Sequence, residues 1–362
     1  MTQGGYTVVT TMKNEGAFLL EWVAHHKALG FDDIVLCTND CEDTTAQMAV
    51  RLAKLGLVRH HETRYKPGQS IQRRALRQVM AYDEVSKAEW VYVCDADEFL
   101  ASRVGDGSAR ALVASCSPDV EAVLVPWRCF GTDGVNAYEE GRITTQRTRA
   151  NATSGPTHVP FAFPKSLFRA DTIPLLSRLG VHAPVAAKTL DRELRRELPG
   201  GVAPIAGRSI LHVQSDYSVA QVNHYQLRSR DSFLVKAARG KVNHTNSKIE
   251  FKYWARNDVA EESCDLIRRY DPEVERWMAE LMEDRRLNTL HQRAVRWHQD
   301  KIKELQAQPE FQQMIDAIEA LRSRIAAGER PPEDEDDSTA DLEVEDDDEE
   351  TRALDLAATR AA

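Results

Sequence analysis

Along the first hundred residues the apolar positions switch repeatedly between two periods. YTVVTTM (Tyr6–Met12) and DIVLCT (Asp33–Thr38) are apolar runs of strand length, whereas Leu19, Trp22, Val23, His26 and Leu29 recur at helical intervals until Gly30 stops them. A second helix is expected from Thr44 to Leu55, ending at Gly56, and GLVRHHE reads as a third strand. Pro67 and Gly68 then turn the chain into a helix carrying Arg73, Arg74 and Arg77, and WVYVC (Trp90–Cys94) is a fourth strand. Strand and helix in strict alternation predict right-handed crossovers and a mostly parallel α/β sheet with helices on both faces. In such sheets ligands gather beyond the carboxyl ends of the strands.

From Asp258 to about Ala327 the pattern becomes helical, with Trp277, Leu281, Leu287, Leu290, Val295, Ile302, Met314, Ile318 and Leu321 at threes and fours. The expected organisation is a catalytic domain over 1–245, a helical appendage over 246–327 and an acidic tail over 328–362. From Glu329 onward there are 15 acidic and 3 basic residues, so the body, residues 1–328, holds 44 basic and 42 acidic ones. The net charge of −10 therefore belongs to the tail, whose composition is that of a disordered segment. A nearly neutral body suits a small anionic ligand and offers no basic stripe for nucleic acid.

Six scattered cysteines without a CxxC, and an N-terminus without a leader pattern, predict reduced thiols and a cytoplasmic protein. The apolar runs are too short for a transmembrane segment. Peripheral contact with the inner face of a membrane stays open, as does pairing of two copies through the helical appendage.

The fourth strand runs straight into acid: WVYVCDADEFL places Asp95, Asp97 and Glu98 at a strand's carboxyl end. Alternation along an extended segment predicts Asp95 and Asp97 on one side and Glu98 on the other. Converging carboxylates repel unless a cation or a basic side chain lies between them. A hard divalent ion, Mg²⁺ or Mn²⁺, suits such oxygens and fills its other positions with phosphate and water. Asp-x-Asp also occurs by chance in chains of this length, and the place after a buried strand is what singles this one out.

At this point the residues carry a family likeness. TTMKNEGAFLLEWVAHHKALGFDDIVLCTNDCEDTT, a basic helix and VCDADEFL together resemble the nucleotide-sugar-binding half of glycosyltransferase family 2 and related enzymes with the Rossmann-like GT-A fold. The likeness is to the branch whose metal motif reads D-x-D-E-F. A second block, VNHYQLRSRDSFLVKAARG (Val222–Gly240), is similar to the segment that closes the domain there and in the family with β-galactan synthase activity.

That resemblance implies a metal-dependent hexosyltransferase, inverting, which takes its sugar from a nucleotide-sugar donor, UDP-linked, and gives it to a glycan or lipid-linked acceptor. It places the nucleotide on Thr11, Lys13, Asn14, Glu15, Asn39, Asp40 and Arg73, with Arg74 beside it, and the metal on Asp95, Asp97 and His224. Arg228, Lys236 and Arg239 would neutralise a diphosphate leaving group. For the base that takes the acceptor's proton, Asp133 in PWRCFGTDG is the candidate, with Glu139 and Glu140 as alternatives.

Plain readings stand beside these: Asn14 caps the first helix, Asn39 and Asp40 make a turn, and His224 is a hydrogen-bonded core histidine. Two other classes compete. A nucleotidyltransferase shares the alternating sheet but normally has a Gly-rich loop after its first strand, which TTMKNEG lacks, and a non-catalytic nucleotide-sugar-binding protein would not need an intact DAD and His224.

Overall fold

A computed structural model describes residues 5–66, 68–240 and 251–327. The acidic tail expected over 328–362 lies outside the described residues, as does the stretch 241–250 containing the boundary drawn near 245. The chain divides into two compact units, Met1–Ile318 and Glu319–Ala362, and the described part of the second is the end of the last helix.

The first half follows the predicted alternation: β1 (Tyr6–Met12), α1 (Leu19–Ala28), β2 (Asp33–Thr38), α2 (Thr45–Lys54), β3 (Arg59–Glu62), α3 (Ile71–Val79) and β4 (Trp90–Val93). The order β3-β2-β1-β4 is parallel throughout. Both faces are covered, which explains why these strands read as continuous apolar runs. Val8, Tyr92 and Trp90 face the cluster shared with α1 and α2, while Val9, Val91 and Val93 face Ala75, Leu76 and Val79 of α3.

The second half is mixed. β5 (Glu98–Ser102), β6 (Ala122–Cys129), β7 (Pro164–Arg169) and β8 (Ala220–His224) extend the sheet in the order β4-β7-β6-β8-β5. β7 runs antiparallel to β4 and β6, and β5 antiparallel to β8, while β6 and β8 are parallel. Only residues 94–97 separate β4 from β5, yet β5 pairs at the far edge of the sheet. The sheet therefore curls until its β5 edge comes back to the carboxyl end of β4 across that turn.

Helix α1 is buried along most of its length and ends where Gly30 adopts φ +83°. Its Glu21 carboxylate accepts bonds from the backbone N–H of Ile143 (2.7 Å) and Thr144 (3.0 Å) and from the Thr144 hydroxyl. His25 Nε2 meets the Leu100 carbonyl at 2.8 Å, and Trp22 Nε1 donates to the Asp95 carbonyl at 3.1 Å.

Past β8 come α4 (Arg230–Arg239), α5 (Asp271–Glu283), α6 (Arg285–Gln306) and α7 (Pro309–Ala326). α6 lies against the loops beyond β1 and β2. Asp284 caps it by accepting from Leu287 N at 2.8 Å and pairs with Arg51; the Thr44 hydroxyl donates to the Leu290 carbonyl at 2.7 Å, and His298 Nε2 meets Ser232 Oγ of α4 at 3.1 Å. No helix among the described residues is long and apolar enough to cross a membrane.

Gly16 is where α6 comes closest. A Cβ there would stand 2.7 Å from Ala294 Cβ and 2.9 Å from Asp43 Oδ2. Gly16→Ala is expected to cost about 1–3 kcal/mol in denaturant unfolding. Adding Ala294→Gly should recover part of that loss.

Burial also pushes the imidazoles of His25 and His298 down to about 4. The unfolded chain takes up those protons near about 6.5, so stability is full above that pH and falls as pH drops toward about 4, by on the order of 3 kcal/mol per histidine. Melting temperature followed across that window should decline as pH falls, and a flat profile would contradict the neutral buried imidazoles.

Candidate functional site

The chain does not run extended through DADE. It turns at Ala96 and Asp97, with Glu98 N donating to the Asp95 carbonyl at 3.2 Å and Asp95 N to Glu98 Oε2 at 2.8 Å. The alternation expected for Asp95 and Asp97 is therefore corrected: the turn puts Asp95 with Glu98 and leaves Asp97 facing another partner. Two lysines meet the two sides.

Lys165 of β7, fully buried, places Nζ 2.8 Å from Asp95 Oδ2, 3.2 Å from Glu98 Oε2 and 3.0 Å from the Val181 carbonyl. Burial alone would lower its pKa, but Asp95 and Glu98 hold it above the ordinary lysine range. Glu98 is fully buried too, and that burial pushes its carboxyl well up against the opposing pull of Lys165. Asp95 Oδ1 accepts from Gln72 Nε2 at 2.6 Å.

On the other side, Lys236 of α4 places Nζ 2.8 Å from Asp97 Oδ2 and 2.9 Å from the Gln226 carbonyl. Register pairs His224 with Glu98, and this brings His224 Nε2 to 3.7 Å from Asp97 Oδ1. Burial tends to raise the Asp97 carboxyl, yet Lys236 and His224 hold it well below the usual carboxylate range. Burial lowers His224, which keeps its imidazole neutral at pH 7, and its Nδ1 is buried without a hydrogen-bond partner among the described residues.

Beyond β1, the loop carrying Lys13, Asn14 and Glu15 is stitched to the loop beyond β2. Asn14 Oδ1 accepts from Glu42 N at 2.7 Å rather than capping α1, and Glu15 N donates to Thr45 Oγ1 at 2.9 Å. The buried Glu15 carboxylate pairs with Arg228 at 2.7 Å and with Arg239 at 2.5 Å; Arg239 also donates to the Lys13 carbonyl at 2.8 Å. Arg228 Cζ stands over the Phe18 ring, 3.7 Å from its centre. Glu15, Arg228, Lys236, Arg239, Ser232 and His298 line a cavity of about 20 Å³, room for roughly one water.

The structure thus joins the two sequence blocks in one place: Glu15, Asp95, Asp97, His224, Arg228, Lys236 and Arg239 form a connected cluster. Asp40 stands nearer the surface, bonded to Asn39 Nδ2 and to the Tyr65 hydroxyl, which holds its carboxyl below the ordinary range. Thr11 and Lys13 are half-buried at the end of β1. From α3 it is Gln72 that reaches the cluster, while Arg73 is half-buried with its N–H on Ser70 Oγ. Asp133 is half exposed, 3.5 Å from Arg149, and among the described residues it has no hydrogen bond or ion pair to Asp95 or Asp97.

Among the described residues the non-glycine positions with positive φ are Asn14 (56°), Asp40 (41°), Asp133 (52°) and Arg228 (61°), each of them a site candidate from sequence. Asn and Asp tolerate this region, but an arginine there is held by its surroundings. Sequence reasoning missed Lys165 and Gln72. Its available signal was a lysine inside the apolar run FPKSLF.

No arrangement of three or more His, Cys, Asp or Glu side chains caging a metal occurs among the described residues. The donor chemistry nevertheless fits a hard cation in part. Asp97 Oδ1 and neutral His224 Nε2 stand 3.7 Å apart, and two ligands each about 2 Å from one ion stand about 3–4 Å apart. Asp95 accepts from Gln72 on one oxygen and from Lys165 on the other, and each oxygen keeps a second lone pair.

No protein-family model matches the sequence, and no curated protein matches it. Solved structures resemble it in fold. TarS 1–349 of S. aureus aligns over 92% of this chain and 94% of its own at 11% identity and a TM-score of 0.32. TarS in a longer form aligns over 47% of this chain, which spans 29% of that length, at 13% identity and 0.29. Glucosyl-3-phosphoglycerate synthase of Mycobacterium tuberculosis, solved with Mn²⁺, UDP and glucosyl-3-phosphoglycerate, aligns over 48% of this chain and 59% of its own at 14% identity and 0.27. Likeness at this level gives no residue a role; the curled mixed α/β sheet of the GT-A, Rossmann-like kind is read from the strand order itself.

Removing the Lys165 ammonium strands a buried carboxylate. Lys165→Met should cost about 3–5 kcal/mol in chemical denaturation, and Asp95→Asn added to it should recover part of the loss. A neutral effect of Lys165→Met would mean that Lys165 does not balance this turn.

Proposed function

We propose that the chain is a metal-dependent glycosyltransferase that moves a hexose from a UDP-linked sugar to a hydroxyl of a glycan or lipid-linked acceptor. The observation that carries this reading is the meeting of Asp97 and His224, at the ends of two sheet strands, with a cluster of three cations from one short segment, Arg228, Lys236 and Arg239. Asp97 and His224 would hold a Mn²⁺ or Mg²⁺ ion; bound there, the ion would offset charge on the diphosphate as the bond to the sugar breaks.

The protein's own groups supply the rest. Lys236 and the two arginines neutralise the leaving diphosphate, whose charge grows in the transition state. Each is paired with a carboxylate, so binding exchanges contacts to Asp97 and Glu15 for contacts to phosphate oxygens. Asn14, Asn39 and Asp40, on the two stitched loops, suit the polar rim of a nucleoside. Asp133 is the candidate base for the acceptor hydroxyl, with inversion as the outcome.

Calorimetric titration with UDP, in Mn²⁺ and in EDTA, tests the reading. Binding should require the ion, and Asp97→Ala should weaken it by about tenfold to a hundredfold. His224→Ala should cut UDP release from UDP-sugars sharply while melting temperature moves little. Equal affinity for UDP with and without chelator would sink the metal site, and pyrophosphate release from a nucleoside triphosphate with a sugar 1-phosphate would mark nucleotidyl transfer instead.

A further inference from the structure

Beside the Asp97–His224 pair lies a chain of rings that the chemistry above leaves unused. Trp127, near the carboxyl end of β6, packs 4.2 Å from His224, 5.0 Å from His182 and 5.7 Å from Phe163, centroid to centroid. Phe163 continues to His182 at 5.5 Å and to His212 at 5.0 Å. Five separate stretches of chain contribute one ring each. Backbone bonds fix several of them: Trp127 N donates to the Phe163 carbonyl at 2.8 Å, the Trp127 carbonyl accepts from the Tyr217 hydroxyl at 2.9 Å, and His182 Nδ1 meets the Pro164 carbonyl at 3.1 Å.

An aromatic cluster built only for stability closes over its rings. Here Trp127, Phe163, His182 and His212 all keep part of their surface exposed. Among the described residues two polar atoms in the same cluster, Trp127 Nε1 and His224 Nδ1, are buried without a hydrogen-bond partner, although a buried indole N–H usually finds one. The basin therefore combines partly exposed apolar rings with polar groups whose bonding is incomplete. A purely apolar ligand would use only the rings. An anion would find the nearest ammonium, Lys165 at 5.7 Å from the Trp127 ring, already committed to Asp95 and Glu98. A pyranose meets both needs, with a C–H face to lay on a ring and hydroxyls at its edge.

We infer that the basin of Trp127, Phe163, His182 and His212 is the acceptor subsite, and that it takes a sugar ring, so that the acceptor is a glycan. This rests on the proposed transferase reading, in which the acceptor hydroxyl must arrive beside Asp97 and His224. Stacking on Trp127 would deliver it there from the side of the middle segment.

Saturation-transfer NMR on the full chain, with UDP and Mn²⁺, tests the inference using methyl glucoside, methyl galactoside, methyl mannoside and cellobiose as probes. At least one should receive saturation from the wild-type protein. Trp127→Ala should lower that signal by about tenfold, the size of one aromatic stacking contact, while Trp127→Phe keeps most of it. Phe163→Ala, whose ring contacts are with Trp127, His182 and His212, gives a second variant should Trp127→Ala fold poorly.

UDP affinity measured on the same samples should stay within about twofold of wild type; loss of UDP binding by the wild-type protein itself would strike the donor reading separately. Saturation of none of the probes, or equal saturation in the variants, would overturn the inference. So would a Trp127-dependent signal from uridine in place of the glycosides, which would make the basin the nucleoside's.

Discussion

An ionised carboxylate taken out of water costs several kcal/mol unless a cation meets it, and residues 95–98 bring three carboxyl groups into one turn, Glu98 fully buried and Asp95 and Asp97 half-buried. The structure meets that demand from two distant places. β7 supplies Lys165 to Asp95 and Glu98, and α4 supplies Lys236 to Asp97. Neither lysine could reach the turn if the sheet were flat. The antiparallel insertion of β7 between β4 and β6, and the curl that sets β5 beside β8, are the topology through which one turn receives both cations.

The same turn explains why α1 is so heavily buried. Trp22 holds the Asp95 carbonyl, His26 lies against Trp22 and, through Nε2, 3.5 Å from Cys94 Sγ, and His25 bonds to the Leu100 carbonyl. The helix thus touches the chain before, within and after the acidic turn. α6 does comparable work for the first loop, through His291 at 3.3 Å from the Gly16 carbonyl and His298 on Ser232. A segment that reads from sequence as an appendage is packed directly behind Glu15 and Arg228.

The alternating half of the fold was legible because each strand and helix there buries a run whose period is local. Observed β1, β2 and α2 match their predicted spans to within a residue. The strands of the second half depend for their pairing on partners far along the chain: β5 meets β8 with Leu100 opposite Val222, and β4 meets β7 with Trp90 opposite Arg169. For the site, the residue types at DAD and in the HY block named most of the cluster. What sequence could not give was the pairing. Lys165 and Gln72 reach Asp95 because of where β7 and α3 end in space, and the direction of Asp97 depended on a turn at Ala96 that alternation did not foresee.

The three cations proposed to meet the diphosphate each have a carboxylate: Arg228 and Arg239 share Glu15, and Lys236 has Asp97. On the transferase reading this pairing sets what a ligand must bring. A free diphosphate would gain the lysine and arginines only by leaving Asp97 and Glu15 buried and uncompensated, which is the costly half of breaking a buried pair. A diphosphate arriving with a divalent cation would change the balance at Asp97, which would hold the ion while Lys236 turns to phosphate; Glu15, with two arginines, would give up one and keep the other. On that reading these pairings make cation and nucleotide depend on each other, and Lys165, paired with Asp95 and Glu98, stays outside the exchange.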